Sequence, residues 1–140
     1  MQLPIKKQRE ILLQLLFSWE ISTTLSTEDR ASLLMESLEV SKKNVLQVEE
    51  KLQSIILYLD RLDRAIDAAC TDYPLERISL IDKNVLRIAS YELLFEDVDP
   101  KIVIDEALRL SKKFSSPEAV SFVHAIVDEV NKRERAEALV

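Results

Sequence analysis

The apolar residues of this chain recur at steps of three and four, the spacing that places side chains on one face of an α-helix. Leu12, Leu15, Leu16 and Trp19 follow this spacing in the first segment, and neighbouring apolar residues widen the stripe until much of the helix is buried. The longest regular stripe covers residues 45–69. It predicts one long helix packed lengthwise in a bundle, with a coiled coil as the alternative.

Polar residues between the stripes predict where helices begin. Ser26 and Ser41 are expected to cap two helices in the first half of the chain, and Ser79 caps a third with Asp82 three positions later. This third helix, residues 81–96, is apolar on almost every side. We therefore expect it at the centre of the fold.

Two capping residues that precede prolines predict the last two helices. The Asp-Pro pair at 99–100 opens a helix at about 100–113, and the Ser-Pro pair at 116–117 opens one at about 117–135. No stretch alternates long enough with the period of two that strands show. The sequence predicts an all-α fold, a compact single domain over residues 1–140 with six or seven helices.

The composition narrows the functional classes. None of the 140 residues is glycine, which argues against the Gly-rich loops that cradle phosphates in nucleotide sites. Cys70 is the only cysteine, so neither an internal disulfide nor a thiolate cluster for zinc can form. The longest apolar run, residues 55–59, is far shorter than the roughly 20 residues of a membrane-spanning helix. We expect a cytoplasmic protein without cofactor, metal or membrane contact.

The charge balance restricts how this protein can meet a polyanion. A net charge of −6 disfavours indiscriminate binding through the overall field, so any contact with nucleic acid must be local. Basic clusters at 6–9, 112–113 and 132–135 offer such contacts, and solvated helix ends are the alternative.

Groups for catalysis are few. Cys70 and His124 are each single, and nothing in the sequence brings them together, so Cys70 is interpreted as a small buried hydrophobe. The acidic residues 60, 63 and 67 recur beside Arg61 and Arg64, which is typical of a solvated helix face. The composition favours a binding protein over an enzyme.

Three stretches in the same order resemble the NusB transcription antitermination family: QREILLQLLFSWEIS, LIDKNVLRIASYELLFEDVDPKIVIDEALRLSKKF and SFVHAIVDEV. The segments 86–93 and 105–107 are the most specific parts. The resemblance implies about seven helices in two subbundles and no catalysis. It also implies that NusE, a small-subunit ribosomal protein, is the partner, and that the pair recognises boxA-like single-stranded RNA.

Proteins of this kind act in RNA polymerase antitermination complexes and promote read-through, notably in ribosomal RNA operons. A helical module that binds NusE with weak or lost RNA affinity is the alternative. The sequence leaves both a monomer and a homodimer open.

The resemblance also assigns residues to RNA. Lys6, Lys7 and Arg9 occupy the place of the family's Arg-rich opening, where cations meet phosphates. Phe122 matches a phenylalanine next to the RNA and offers a stacking surface, with a core position as the alternative. Glu118 keeps the acidic character of the helix start.

A second set of residues is assigned to the partner. Asp82, Tyr91 and Glu92 match the strip expected to lie towards NusE, although Arg87 and Tyr91 could equally extend from the bundle and pair with neighbouring side chains. Near Phe122 the chain departs from the family, because Ser121 replaces a usual Lys. His124 then replaces a usual Asn, and Ala125 replaces a usual Gly. Asp128, one helical turn after His124, could pair with the protonated imidazole.

Overall fold

The computed structural model describes residues 3–21, 42–71 and 75–138. Over these ranges the chain forms six α-helices and no strand, which confirms the predicted all-helical fold. The helices are α1 (Ile5–Ile21), α2 (Lys42–Leu57), α3 (Leu59–Ala69), α4 (Leu80–Phe95), α5 (Pro100–Phe114) and α6 (Ala119–Ala138), with a 3₁₀ turn at Leu75–Arg77. The predicted helix after Ser26 and the cap at Ser41 lie outside the described residues.

The chain divides into two compact units, Met1–Leu57 and Tyr58–Val140. In the first unit α1 packs against α2. The buried apolar side chains of α2 follow the predicted spacing of three and four: Val45, Val48, Leu52 and Ile55. Those of α1 cover a wider face: Ile11, Leu12, Leu13, Leu15 and Leu16. Trp19 of its predicted stripe is only half-buried. A single domain over residues 1–140 stays a prediction.

Helix α4 is the centre of the second unit. It contacts α3, α5 and α6, and every residue from 84 to 90 is buried. Three neighbouring helices cover α4, which explains why its sequence is apolar on almost every side. Helix α6 also packs against α3 and α5, which closes the bundle.

The stripe at 45–69 is two helices, so the prediction of one long helix was wrong. Tyr58 lies between α2 and α3 with φ −103° and ψ 19°, far from the helical ψ of about −42°. Its ring stacks on Phe95 of α4, with 4.6 Å between the ring centroids. The spacing of apolar residues shows which face of a helix is buried. It does not show where one helix ends and the next begins, because two successive helices can continue the same spacing.

The predicted start of α4 is confirmed. The Ser79 hydroxyl accepts a hydrogen bond from the backbone N–H of Asp82 at 3.2 Å and donates one to its carboxylate at 2.9 Å. This cap satisfies one of the N–H groups that a helix start leaves without an intrahelical partner.

The two proline-containing starts differ from each other. Asp99 accepts from the backbone N–H of Lys101 at 2.9 Å and Pro100 begins α5, as predicted. Helix α6 begins at Ala119 instead of residue 117, and the Ser116 hydroxyl accepts from the N–H of Ala119 at 3.3 Å. Over the described ranges, no helix has the length and apolar content needed to cross a membrane.

Candidate functional site

Phe122 lies in the first turn of α6, half-buried, between two hollows of the second unit. The first hollow, of about 370 Å³, is bordered by the 3₁₀ turn and the starts of α4 and α6. Its lining residues are Arg77, Ile78, Ser79, Asp82, Ser116, Glu118, Ala119 and Phe122. We call this the turn-side hollow.

The second hollow, of about 410 Å³, lies where the end of α3 meets α6. Its lining residues are Ala69, Cys70, Thr71, Phe122, Ala125, Ile126 and Glu129. Phe122 lines both hollows and is only half-buried. This placement suits base stacking better than a fully enclosed ring would.

The charged side chains that line the turn-side hollow differ in their exposure to solvent. Asp82 is only 7% exposed, and its carboxylate accepts from the hydroxyls of Ser79 at 2.9 Å and Ser111 at 3.4 Å. Glu118 and Arg77 are exposed. Since Asp82 is occupied inside the fold, the charges that a ligand would meet at this rim are those of Glu118 and Arg77.

The basic opening of α1 is only partly accessible. Lys6 is exposed and Lys7 half-exposed, whereas Arg9 is 7% exposed. The start of this helix is held in part by Gln8, whose side-chain amide donates to the carbonyl of Leu3 at 2.7 Å. In this conformation Lys6 and Lys7 present the surface that could meet phosphates.

The residues assigned to the partner also differ in exposure. Tyr91 is half-exposed, but Glu92 is 2% exposed. The ring of Tyr91 lies 5.3 Å from that of Phe95, which in turn stacks on Tyr58. Tyr58 and Phe95 are each 42% exposed, so these three residues form an aromatic cluster that reaches the surface of the second unit.

Sequence reasoning missed Tyr58 and Phe95 as companions of Tyr91. Tyr91 and Phe95 are four residues apart on α4, and this spacing places two side chains side by side on a helix surface. That signal was available. No local signal connects Tyr58 to the cluster, because it belongs to a different part of the chain.

Arg87 stabilises the packing of α4 against α3. Its guanidinium donates two hydrogen bonds to the carboxylate of Asp63, each 2.8 Å, and a third to the side-chain oxygen of Asn84 at 2.9 Å. The Arg87 side chain is 5% exposed. The interpretation of Arg87 as a residue that pairs with neighbouring side chains is supported.

This pairing also corrects the expectation for α3. Asp63 was expected on a solvated helix face, yet its carboxylate accepts hydrogen bonds from Arg87 of α4, and Arg61 bonds to Glu134 of α6 at 2.8 Å. Arg64 remains exposed. The acidic stripe is therefore only partly a solvated face, because one of its carboxylates bridges two helices.

The candidate nucleophile is poorly suited to attack. Burial, and secondarily the negative charge of Asp67, raises the pKa of the Cys70 thiol to about 11. Since the thiolate is the reactive form, Cys70 is almost wholly protonated at neutral pH. His124 is exposed, and the carboxylate of Asp128 pairs with Lys132 at 3.0 Å. Nothing in this geometry joins these groups into a catalytic arrangement.

The basic residues near the end of α6 are paired along their own helix. In addition to the Lys132 pair, Arg133 bonds to Glu129 at 3.0 Å. These contacts favour the interpretation of this cluster as a solvated helix face. Within the described part of the chain, no three His, Cys, Asp or Glu side chains gather as a metal site requires.

The model of the NusB family matches residues 6–132 of this chain. The chain belongs to the NusB family. Transcription antitermination protein NusB of Clostridium perfringens is 37% identical over 129 residues, which cover 90% of this chain and 95% of that protein. The family resemblance of the three sequence stretches is confirmed.

Solved structures show the same architecture. The structure of T. maritima NusB aligns with a TM-score of 0.80 at 29% identity, covering 98% of this chain and 99% of that one. A complex of the antitermination factors NusB and NusE with dsRNA aligns with a TM-score of 0.77, covering 91% of this chain and 96% of that one. At 19% identity this second likeness shows the fold alone.

Proposed function

We propose that this NusB-family protein is an RNA-binding transcription antitermination factor. It pairs with NusE, recognises boxA-like single-stranded RNA, and promotes read-through in an RNA polymerase antitermination complex, notably in ribosomal RNA operons. It acts in the cytoplasm by binding, without catalysis or a cofactor. The observation that carries the proposal is the similarity, along 90% of this chain, to a protein named for antitermination.

The RNA contact centres on Phe122. Phe122 is half-buried and lines both hollows, a placement that supports stacking of a base against its ring. The exposed carboxylate of Glu118 can accept a hydrogen bond from a base amino group. Lys6 and Lys7 neutralise phosphates, and Arg9 joins them only if its buried side chain moves outward.

The NusE contact centres on Tyr91. Its half-exposed ring belongs to the aromatic cluster, and tyrosines are enriched among the residues that dominate binding energy at interfaces. Asp82 and Glu92 offer almost no surface of their own, so they support this contact from inside the fold.

The proposal is tested by titrating labelled boxA RNA with this protein, with NusE, and with the two together. The mixture should bind RNA more tightly than either protein alone, because the two proteins form one binding surface. If the mixture binds no better than NusE alone, the proposed RNA role is wrong.

Two substitutions separate the RNA contact from the NusE contact. Phe122→Ala should weaken RNA binding by roughly 5- to 150-fold, the equivalent of about 1 to 3 kcal/mol of stacking, while NusE binding stays unchanged. Tyr91→Ala should instead weaken NusE binding, which is measured without RNA. Ile102→Ala, which shortens another exposed apolar side chain, is the control for both assays. Unchanged helical circular dichroism shows that each variant is folded.

The alternative function, a NusE-binding module with little RNA affinity, has observations in its favour. Arg9 is buried, Ser121 beside Phe122 is uncharged, and the net charge is −6. Salt dependence distinguishes the two functions. RNA affinity should fall steeply as salt rises, whereas an interface of packed helices should change little.

A further inference from the structure

The turn-side hollow contains one cationic side chain among its described lining residues, Arg77 of the 3₁₀ turn. Arg77 is exposed. The carboxylates among the described lining residues of the hollow are those of Glu118 and Asp82, and that of Asp82 accepts hydrogen bonds from two hydroxyls. The guanidinium is therefore available to a ligand.

The same hollow is bordered by Phe122. A single-stranded nucleic acid is bound through two kinds of group, aromatic rings that stack on bases and cations that follow the phosphates. The turn-side hollow brings one group of each kind to a space of about 370 Å³. A guanidinium also suits a phosphate better than most cations, because its planar fork donates two parallel hydrogen bonds.

We propose that Arg77 binds the phosphate of the nucleotide whose base stacks on Phe122. This assignment rests on the proposed RNA-binding function and adds a residue to it. Ser121, next to Phe122 on α6, is exposed and carries no charge. The cation beside the stacking ring comes from the 3₁₀ turn before α4 instead of from α6 itself.

The test measures the affinity of the complex with NusE for boxA RNA as a function of salt. Removal of one phosphate contact from a single strand makes the slope of log K against log salt shallower by about 0.7. Arg77→Gln should therefore show this shallower slope and about a fivefold loss of affinity at 0.1 M salt. Arg77→Lys should keep the slope, because it keeps the charge.

Arg64→Gln is the matched control. Arg64 is also exposed, lies on α3, and lines a different hollow together with Asp60 and Asp67. Its substitution removes the same charge from the protein and should leave the slope unchanged. If the two glutamine variants lose affinity equally, the effect of Arg77 is one of overall charge and the assignment is overturned.

A double variant tests whether Arg77 and Phe122 meet the same nucleotide. Each single variant, Arg77→Gln and Phe122→Ala, lowers RNA affinity by some factor. The double variant should lose less affinity than the product of these two factors, because each contact positions the nucleotide for the other. A double variant whose loss of affinity equals the product of the two single losses would place the two residues on different nucleotides and overturn the proposal. NusE binding without RNA and thermal unfolding should match the unsubstituted protein.

The proposed function and this inference fail in different ways. If the unsubstituted protein with NusE binds RNA no better than NusE alone, the function is wrong and the assignment of Arg77 is wrong with it. If the unsubstituted protein binds RNA and Arg77→Gln binds it equally with the same slope, only the assignment of Arg77 is wrong.

Discussion

Arg87 of α4 and Asp63 of α3 are joined by two parallel hydrogen bonds of 2.8 Å. The side chain of Arg87 is 5% exposed and that of Asp63 is 25% exposed. Asn84 accepts a third hydrogen bond from the same guanidinium at 2.9 Å. The pair connects two helices of the second unit across 24 residues of sequence.

Removal of this guanidinium should destabilise the fold. Arg87→Ala should lower the free energy of unfolding by about 3 kcal/mol, the lower end of the range for breaking a buried pair, because Asp63 keeps some contact with water. Arg87→Lys should recover part of the loss, since an ammonium cannot donate the same parallel pair of hydrogen bonds. Urea denaturation followed by circular dichroism measures both variants.

Arg61→Ala is the control for this effect. Arg61 bonds to Glu134 at 2.8 Å, but its side chain is 38% exposed, so its loss should cost only about 0 to 1 kcal/mol. Equal losses of stability for Arg61→Ala and Arg87→Ala would contradict the role assigned to the buried pair.

Loss of the cap of α4 should have a smaller effect. Ser79→Ala removes both the acceptor for the backbone N–H of Asp82 and a donor to its carboxylate. A loss of about 1 kcal/mol is expected. Ser54→Ala is the control, because the Ser54 hydroxyl donates an exposed hydrogen bond to the carbonyl of Glu50 within its own helix. Identical urea midpoints for the two variants would argue against a stabilising cap.

The protonation of Cys70 predicts how its reactivity changes with pH. Its pKa is raised by burial from 9.0 to about 11, so at pH 8 the folded protein should react with iodoacetamide about 100-fold more slowly than the urea-unfolded chain. The rate should rise about tenfold per pH unit until the pH approaches 11. Mass spectrometry of the alkylated protein gives both rates.

The same shift has a consequence for stability. Because the folded state holds the thiol proton more tightly than the unfolded state, the contribution is fully present below pH 9 and is lost as pH rises through about 11. Cys70→Ser, with a hydroxyl that does not titrate here, should lack this dependence. Similar labelling rates for folded and unfolded protein would show that the thiol is not protected.

Much of the fold could be predicted from the sequence because its causes are local. The starts of α4 and α5 depend on side chains within three residues of the backbone groups they cap. The central position of α4 follows from its own apolar residues, which occur on almost every side of the helix. The family could be predicted too, since long stretches in a fixed order carry it.

The candidate site could be predicted only in part. Phe122 and Tyr91 came from the family resemblance, and both have accessible surface. Exposure could not be predicted for Arg9, Asp82 and Glu92, because the polarity of a side chain does not reveal which neighbours cover it. Arg77 was missed for a related reason, since nothing around it in the sequence resembles a binding motif.

The sequence by itself determined which residues form helices and which faces those helices bury, because side-chain spacing and caps act over a few residues. Tertiary structure alone decided that Arg87 pairs with Asp63, that Tyr58 separates α2 from α3, and that Arg77 shares a hollow with Phe122. Arg87 is distant in sequence from Asp63 and Arg77 from Phe122, and the Tyr58 ring stacks on the distant Phe95. They arise only when helices pack, since burial and charge pairing depend on the side chains that the fold brings together.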